Sequence, residues 1–140
     1  MIATIVTIVF GALLVAIVGF IAWRLWRRYA PKPLKTEVYQ AKWQELQKLC
    51  AHKETWSEAV IEADTLLGDV LKKLRVRGGS MGERLVKVQR QLTDNDAAWF
   101  GHKLRNRIEA EPDTKLKESE VKQALIGIRQ ALKDVGALKK

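Results

Sequence analysis

Residues 1–35 read MIATIVTIVFGALLVAIVGFIAWRLWRRYAPKPLK. No charged side chain precedes Arg24, and Arg24, Arg27, Arg28, Lys32 and Lys35 then follow at once. A helix rises ~1.5 Å per residue, so the uncharged run is long enough to cross a hydrocarbon core of ~30 Å. A single segment in lipid satisfies its backbone hydrogen bonds internally, as a helix. Gly11 and Gly19 weaken a helix in water but are common in membrane helices. Trp23, Trp26 and Tyr29 sit where the apolar run ends, with ring bodies suited to a membrane interface and polar tips that stay wet. Together with Arg24, Arg27 and Arg28 they form an interfacial flank. Lys and Arg concentrate on the cytoplasmic side of membrane helices, which predicts an N-outside, C-inside orientation.

A cleaved signal peptide fits less well, because no basic side chain precedes the core and the core ends in Trp-Arg-Leu-Trp rather than small residues. A pilin-like helix is disfavoured by the lack of a basic leader and of an acidic residue in the run. Ala12 and Ala16 give a small-xxx-small pair, short of a Gly-xxx-Gly packing motif.

Working outward, Pro31 and Pro33 bracket a linker that stops or kinks the helix, since proline lacks the N–H donor. The expected division is an anchor at 1–29, a linker at 30–35 and a helical domain at 36–140. The net charge is +9, but the five cations from Arg24 to Lys35 have no acidic neighbour, which leaves +4 for the rest. The basic character is therefore largely juxtamembrane rather than a nucleic-acid footprint. The single Cys50 excludes an internal disulfide and suits a reducing compartment. His52 and His102 are the only histidines, so no Cys/His cluster offers a zinc site. No metal and no cofactor is expected.

The remaining chain shows helical periodicity and no sustained period-two alternation. Tyr39, Trp43, Leu46 and Cys50 mark a helix over about 36–51. Thr55-Trp56-Ser57-Glu58 has the form of a capping box opening a helix to about Leu74. Ser80-Met81-Gly82-Glu83 repeats that form after Gly78-Gly79 and opens a helix to about Leu92. Thr93-Asp94-Asn95-Asp96 is a turn and cap cluster before a helix to about Ala110. Val121, Leu125, Ile128, Leu132 and Val135 define a last helix, with Gly136 placed at its C′ position. The fold class expected is all-α: one transmembrane helix, then an antiparallel bundle of about four to five helices.

The strings Trp56-Ser57-Glu58-Ala59-Val60-Ile61-Glu62-Ala63-Asp64, Met81-Gly82-Glu83-Arg84-Leu85 and His102-Lys103-Leu104-Arg105-Asn106-Arg107-Ile108 occur in this order. They resemble uncharacterised short bacterial proteins, many from small-genome candidate phyla, that join a membrane helix to a helical domain. The domain also resembles the HEPN group of four-helix bundles over roughly residues 56–138. HEPN ribonucleases carry an Arg, usually followed by a polar residue, and a His four to six residues on. Arg105 and Asn106 match the first part, but positions 110–112 hold Ala, Glu and Pro. Without an imidazole at that spacing, the resemblance implies a HEPN-like domain that does not cleave RNA.

Asp64 lies within an apolar helix. One reading is a buried acid paired with Arg105 or Arg107; the other is a boundary residue on the solvated edge. Arg105 has five donors and, if buried, needs acceptors, with Asp64 preferred over Glu109 on its own helix. Arg84, Lys87 and Arg90 recur every three residues and could meet lipid, RNA or only solvent. Trp43, Trp56 and Trp99 read as packing residues. Gly78-Gly79-Ser80 lacks phosphate-loop spacing and reads as a turn. No catalytic residue is expected; Asp64, Arg105, Asn106, Arg84, Lys87 and Arg90 are binding candidates. The expected partners are the bilayer and another protein or a second copy of the chain, ahead of nucleic acid. The function expected is a non-catalytic, membrane-tethered helical interaction module. The alternatives are a HEPN-like RNA-binding or RNA-cleaving protein at the membrane and a structural subunit of an envelope assembly.

Overall fold

The computed structural model describes residues 1–30 and 32–140; the expectation attached to Pro31 lies outside them. Helix α1 spans Ile2–Tyr29 and buries none of its residues. It meets the length and apolarity that a membrane crossing needs. Phe20 packs obliquely against Trp23, and the Arg27 guanidinium lies 5.4 Å from the Trp23 ring. Residues 1–31 form one compact unit and 32–140 the other.

The second unit is helical throughout, with α2 (Thr36–Lys48), α3 (Trp56–Lys73), α4 (Met81–Val88), α5 (Asn95–Ala110) and α6 (Glu118–Asp134). Short 3₁₀ turns follow α2 and α4, where side chains of the last turn tighten into the connections. No strand occurs among the described residues. The fold class is therefore all-α, a long apolar helix followed by a helical bundle.

Helix α3 is the spine. Ala59, Val60, Ala63, Leu66, Leu67, Val70 and Leu71 are buried along it, at the three- and four-residue steps of one wide stripe. One core cluster joins Leu67 and Leu71 to Trp43 and Leu46 of α2, Leu85 and Val88 of α4, and Ile128 and Leu132 of α6. A second joins Val60 to Leu104 and Ile108 of α5, Leu116, and Val121 and Ala124 of α6. Each fully buried Leu or Ile side chain contributes ~1.5–3 kcal/mol relative to exposure. Leu34 packs against the first cluster, so the folded unit reaches back into the stretch expected to be pure linker.

Helices α5 and α6 cross at two glycines. A Cβ on Gly101 would sit 2.7 Å from Ile128 Cγ1, and one on Gly127 would collide with the Ala97 backbone carbonyl. Only a hydrogen at these positions lets the two backbones approach so closely.

The caps divide. Ser80 Oγ accepts from Glu83 N–H at 3.2 Å, as the spacing predicts, but Glu83 Oε2 reaches the Gly79 N–H, at 2.7 Å, one residue before the N-cap amide that a capping box engages. Asp94 Oδ1 accepts from Ala97 N–H at 2.9 Å. Thr55 does not cap α3. Its hydroxyl donates to the Leu49 and His52 carbonyls, because Thr55 itself closes a 3₁₀ turn and lacks the extended backbone of an N-cap. Lys117 N–H donates to Glu120 at 3.1 Å, a cap that no Ser, Thr, Asp or Asn announces. Gly136 takes a φ of +83° after α6, where the sequence places it. Arg75 holds φ +60° at the end of α3, a position glycine usually fills.

Candidate functional site

Asp64 is 3% exposed and His102 7% exposed, the buried polar pair of the core. The Asp64 carboxylate faces α5 from the apolar stripe of α3. His102, Arg105 and Asn106 stand at i, i+3 and i+4 on α5 and so share the face that meets it. His102 Nδ1 lies 3.2 and 3.0 Å from the two carboxylate oxygens. Asn106 Nδ2 lies 3.3 Å from His102 Nε2, and Arg105 Nη1 donates to Asn106 Oδ1 at 3.2 Å.

The donors and acceptors fix a direction along this chain. Arg105 can only donate, so the oxygen of Asn106 faces it and the amide NH₂ faces His102. The NH₂ donates to Nε2, which leaves the ring proton on Nδ1 to donate to Asp64. Both ring nitrogens of His102 are thereby occupied. The Trp99 ring meets it edge-on at 5.9 Å and 72°. Gly82 of α4 packs beside both, since a Cβ there would lie 3.4 Å from the Trp99 ring and 3.9 Å from His102 Nε2.

Asp64 also lines an open cleft of about 300 Å³ with Thr65, Lys72, Ser80, Arg84 and Arg105; His102 does not line it. Arg105 Nε is 3.9 Å from Asp64 Oδ2, too long for a hydrogen bond, while its Nη2 meets Glu109 at 2.9 Å. Arg84 is held against Gly78, whose Cβ would lie 3.0 Å from the Arg84 stem. The Nε atoms of Arg84 and Arg105 are both buried without a hydrogen-bond partner. The cleft is thus lined by two guanidinium-bearing side chains and one buried carboxylate. The proton-transfer group nearest the cleft, Asp64, is already engaged by His102. No cluster of three or more His, Cys, Asp or Glu side chains suited to a metal occurs among the described residues.

The structure thus brings Asp64, Arg105, Asn106 and Arg84 together and decides for the buried reading of Asp64. Of the two arginines weighed for Asp64, Arg105 forms an ion pair with it at 3.9 Å, beside a closer contact from His102. The principal partner of Asp64 is His102, Arg105 favours Glu109, and Arg107 turns to Glu120 of α6 at 2.9 Å. His102 is the nearer group to Asp64 on their shared face of α5, while the longer Arg105 side chain also reaches Glu109 one turn on. Lys87 and Arg90 do not join the cleft; Lys87 borders a separate depression with Arg77, Gly78 and Val86. The residue that sequence reasoning missed is His102. Its signal was its place three and four residues ahead of Arg105 and Asn106, on the same helical face.

Trp43 is buried, and Trp56 Nε1 donates to the Cys50 carbonyl at 3.1 Å, both as packing residues. Partial burial raises the Cys50 thiol above its ordinary range. Trp23, Arg24, Trp26, Arg27, Arg28 and Tyr29 are exposed along the last turns of α1. No family model matches the chain, and no known protein or solved structure compared with it is significantly similar.

Proposed function

We propose that the chain is a membrane-tethered helical module that binds protein partners at the cytoplasmic face and catalyses no reaction. The observation that carries this reading is α1: an apolar helix with no buried residue, uncharged up to Trp23 and ending in an aromatic and basic flank. Lipid is the surroundings that such a helix requires. The cations at its C-terminal end supply the orientation. On this reading the Asp64–His102–Asn106 chain fixes how α3 and α5 pack, a registry role for a buried polar group.

Two measurements test it. The full-length chain should float with lipid vesicles on a density gradient. A cysteine placed at Lys139 in a Cys50→Ser background should react with an impermeant maleimide only after cells are opened. A chain left at the bottom of the gradient would overturn the anchor, and labelling of intact cells would overturn the orientation.

A second reading, an RNA-binding HEPN-like protein at the membrane, is favoured by one observation: the unpartnered Nε atoms of Arg84 and Arg105 in one cleft. It requires that single-stranded RNA bind the full-length chain in detergent and that Arg84→Ala weaken binding while the helical spectrum is kept. RNA cleavage that disappears in a folded His102→Ala variant would replace the non-catalytic reading.

A further inference from the structure

A groove of about 670 Å³ runs between α2 and α3. Leu46, Leu49 and Leu66 form its apolar part. Glu58, Glu62 and Asp69 edge it from α3, at spacings that put all three on one helical face. Asp69 is matched by Lys72 at 3.8 Å. Glu58 and Glu62 are exposed and make no ion pair among the described residues. Lys42 and Glu45 line the α2 wall, Glu45 matched by Lys48 at 2.8 Å, so the α3 edge is an acidic ridge beside an apolar floor, in a chain of net charge +9.

The opposite character appears at α4. Val86 is 50% exposed, one of few large apolar side chains so exposed in the second unit. Arg77 and Lys87 border it, and Arg90 follows one turn later. These three cations are exposed and make no ion pair among the described residues. Glu83 also lines this depression, its carboxylate held by the Gly79 N–H, so with Arg77, Lys87 and Arg90 the exposed Val86 stands as a knob on a face of net positive charge, the complement of a groove edged by carboxylates.

We propose that the α2–α3 groove receives α4 of a second copy of the chain, with Val86 over the leucine floor and Arg77, Lys87 and Arg90 facing Glu58 and Glu62. The assignment rests on the reading of the chain as a tethered interaction module. Both halves of the complementary pair lie on one chain, and anchors confine all copies to one surface, which raises their effective concentration. The contact joins two different surfaces and is therefore heterologous, so each added copy leaves one groove and one knob open and assembly proceeds to a ring or a row. Charge sets the register of the contact, and the association weakens as salt rises.

The test uses the full-length chain in detergent micelles, followed by sedimentation velocity across concentration and salt, with circular dichroism to verify each variant's fold. Wild type should self-associate more strongly at low salt. Glu58→Gln/Glu62→Lys should weaken association roughly tenfold or more, and Lys87→Glu/Arg90→Glu should do the same. Mixing the two variants should restore it, because each then presents a surface opposite to the other's. A wild type that stays monomeric, variants that associate like wild type, or a mixture that stays apart would overturn the proposal. A monomeric chain that binds an oligolysine peptide through Glu58 and Glu62 would overturn it too and assign the groove to a basic partner. Vesicle flotation of the same variants separates the two readings: floating monomers remove self-assembly and keep the anchor, whereas chains that fail to float remove the anchor itself.

Discussion

Asp64 and His102 form a buried pair whose members depend on each other. Asp64→Ala leaves the His102 Nδ1–H without an acceptor in a dry site and should cost roughly 3 kcal/mol. His102→Ala strands the carboxylate and should cost a similar amount. The double variant should lose clearly less than the sum, by about 0.5–3 kcal/mol, in chemical denaturation of the full-length chain. Arg105→Ala should cost less than Asp64→Ala, about 1–2 kcal/mol, because its bond to Glu109 is half-exposed and screened and its ion pair with the buried Asp64 is long, at 3.9 Å. Equal effects of Arg105→Ala and Asp64→Ala would contradict this ranking. The sequence conveyed that Asp64 lies within an apolar stripe, but a carboxylate's partner depends on which helix face arrives opposite. Nothing local to residues 56–74 says that α5 presents His102 there.

Asp134 provides the pH-dependent contribution. Burial raises the proton affinity of its carboxylate, but bonds from the Thr93 N–H, the Gln130 amide and the Thr93 hydroxyl, with the charge of Lys140, outweigh burial and hold it below the ordinary carboxylate range. The Thr93 bonds are 2.7 and 2.8 Å long. A lowered folded-state value means that the stabilisation is present above the unfolded value of ~4 and fades as pH falls through the folded one. Asp134→Asn should therefore lower the melting temperature at pH 7, and the two melting curves should converge at acid pH below the folded value. A gap that persists or widens there would assign the effect to packing instead.

Among the elements, the α5–α6 crossing is set by glycine. Gly127→Ala drives a methyl group into the Ala97 carbonyl, and the backbone must move. We expect a loss of about 1–3 kcal/mol, although alanine is the better helix former by ~1 kcal/mol. Gly68→Ala in α3 meets only the Met81 sulfur, at 3.4 Å, and should be neutral or stabilising by up to ~1 kcal/mol. Thermal melts of both variants decide, and the same sign for both would refute the assignment. Helix identity was legible because the stripes of Ala59 to Leu71 and Val121 to Leu132 repeat at three and four residues. The crossing was not, since Gly101 and Gly127 look like helix weakeners until the facing backbone is known. Thr55 misled for a related reason. A capping box in sequence says nothing about the carbonyls of Leu49 and His52 that compete for the hydroxyl.

For the whole molecule, the chain parts into two compact units between residues 31 and 32, and Leu34 packs against the core of the second rather than serving as linker. A fragment of residues 32–140 should be helical and melt cooperatively, and one of residues 36–140 should melt several degrees lower for loss of the Leu34 contact. Identical melting temperatures would return Leu34 to the linker. The close passage of Gly101 past Ile128, and of Gly127 past Ala97, also sets a schedule for solvent exchange. Backbones that touch without intervening side chains leave no partial opening by which deuterium can enter, so amides near Gly101–Leu104 and Ala124–Ile128 should exchange only when the entire unit unfolds. Helix α2, with only Trp43 and Leu46 buried, should exchange earlier, through openings that leave the α5–α6 pair intact. The two glycines, the least helix-favouring residues of their helices, would then mark the slowest clock in the protein.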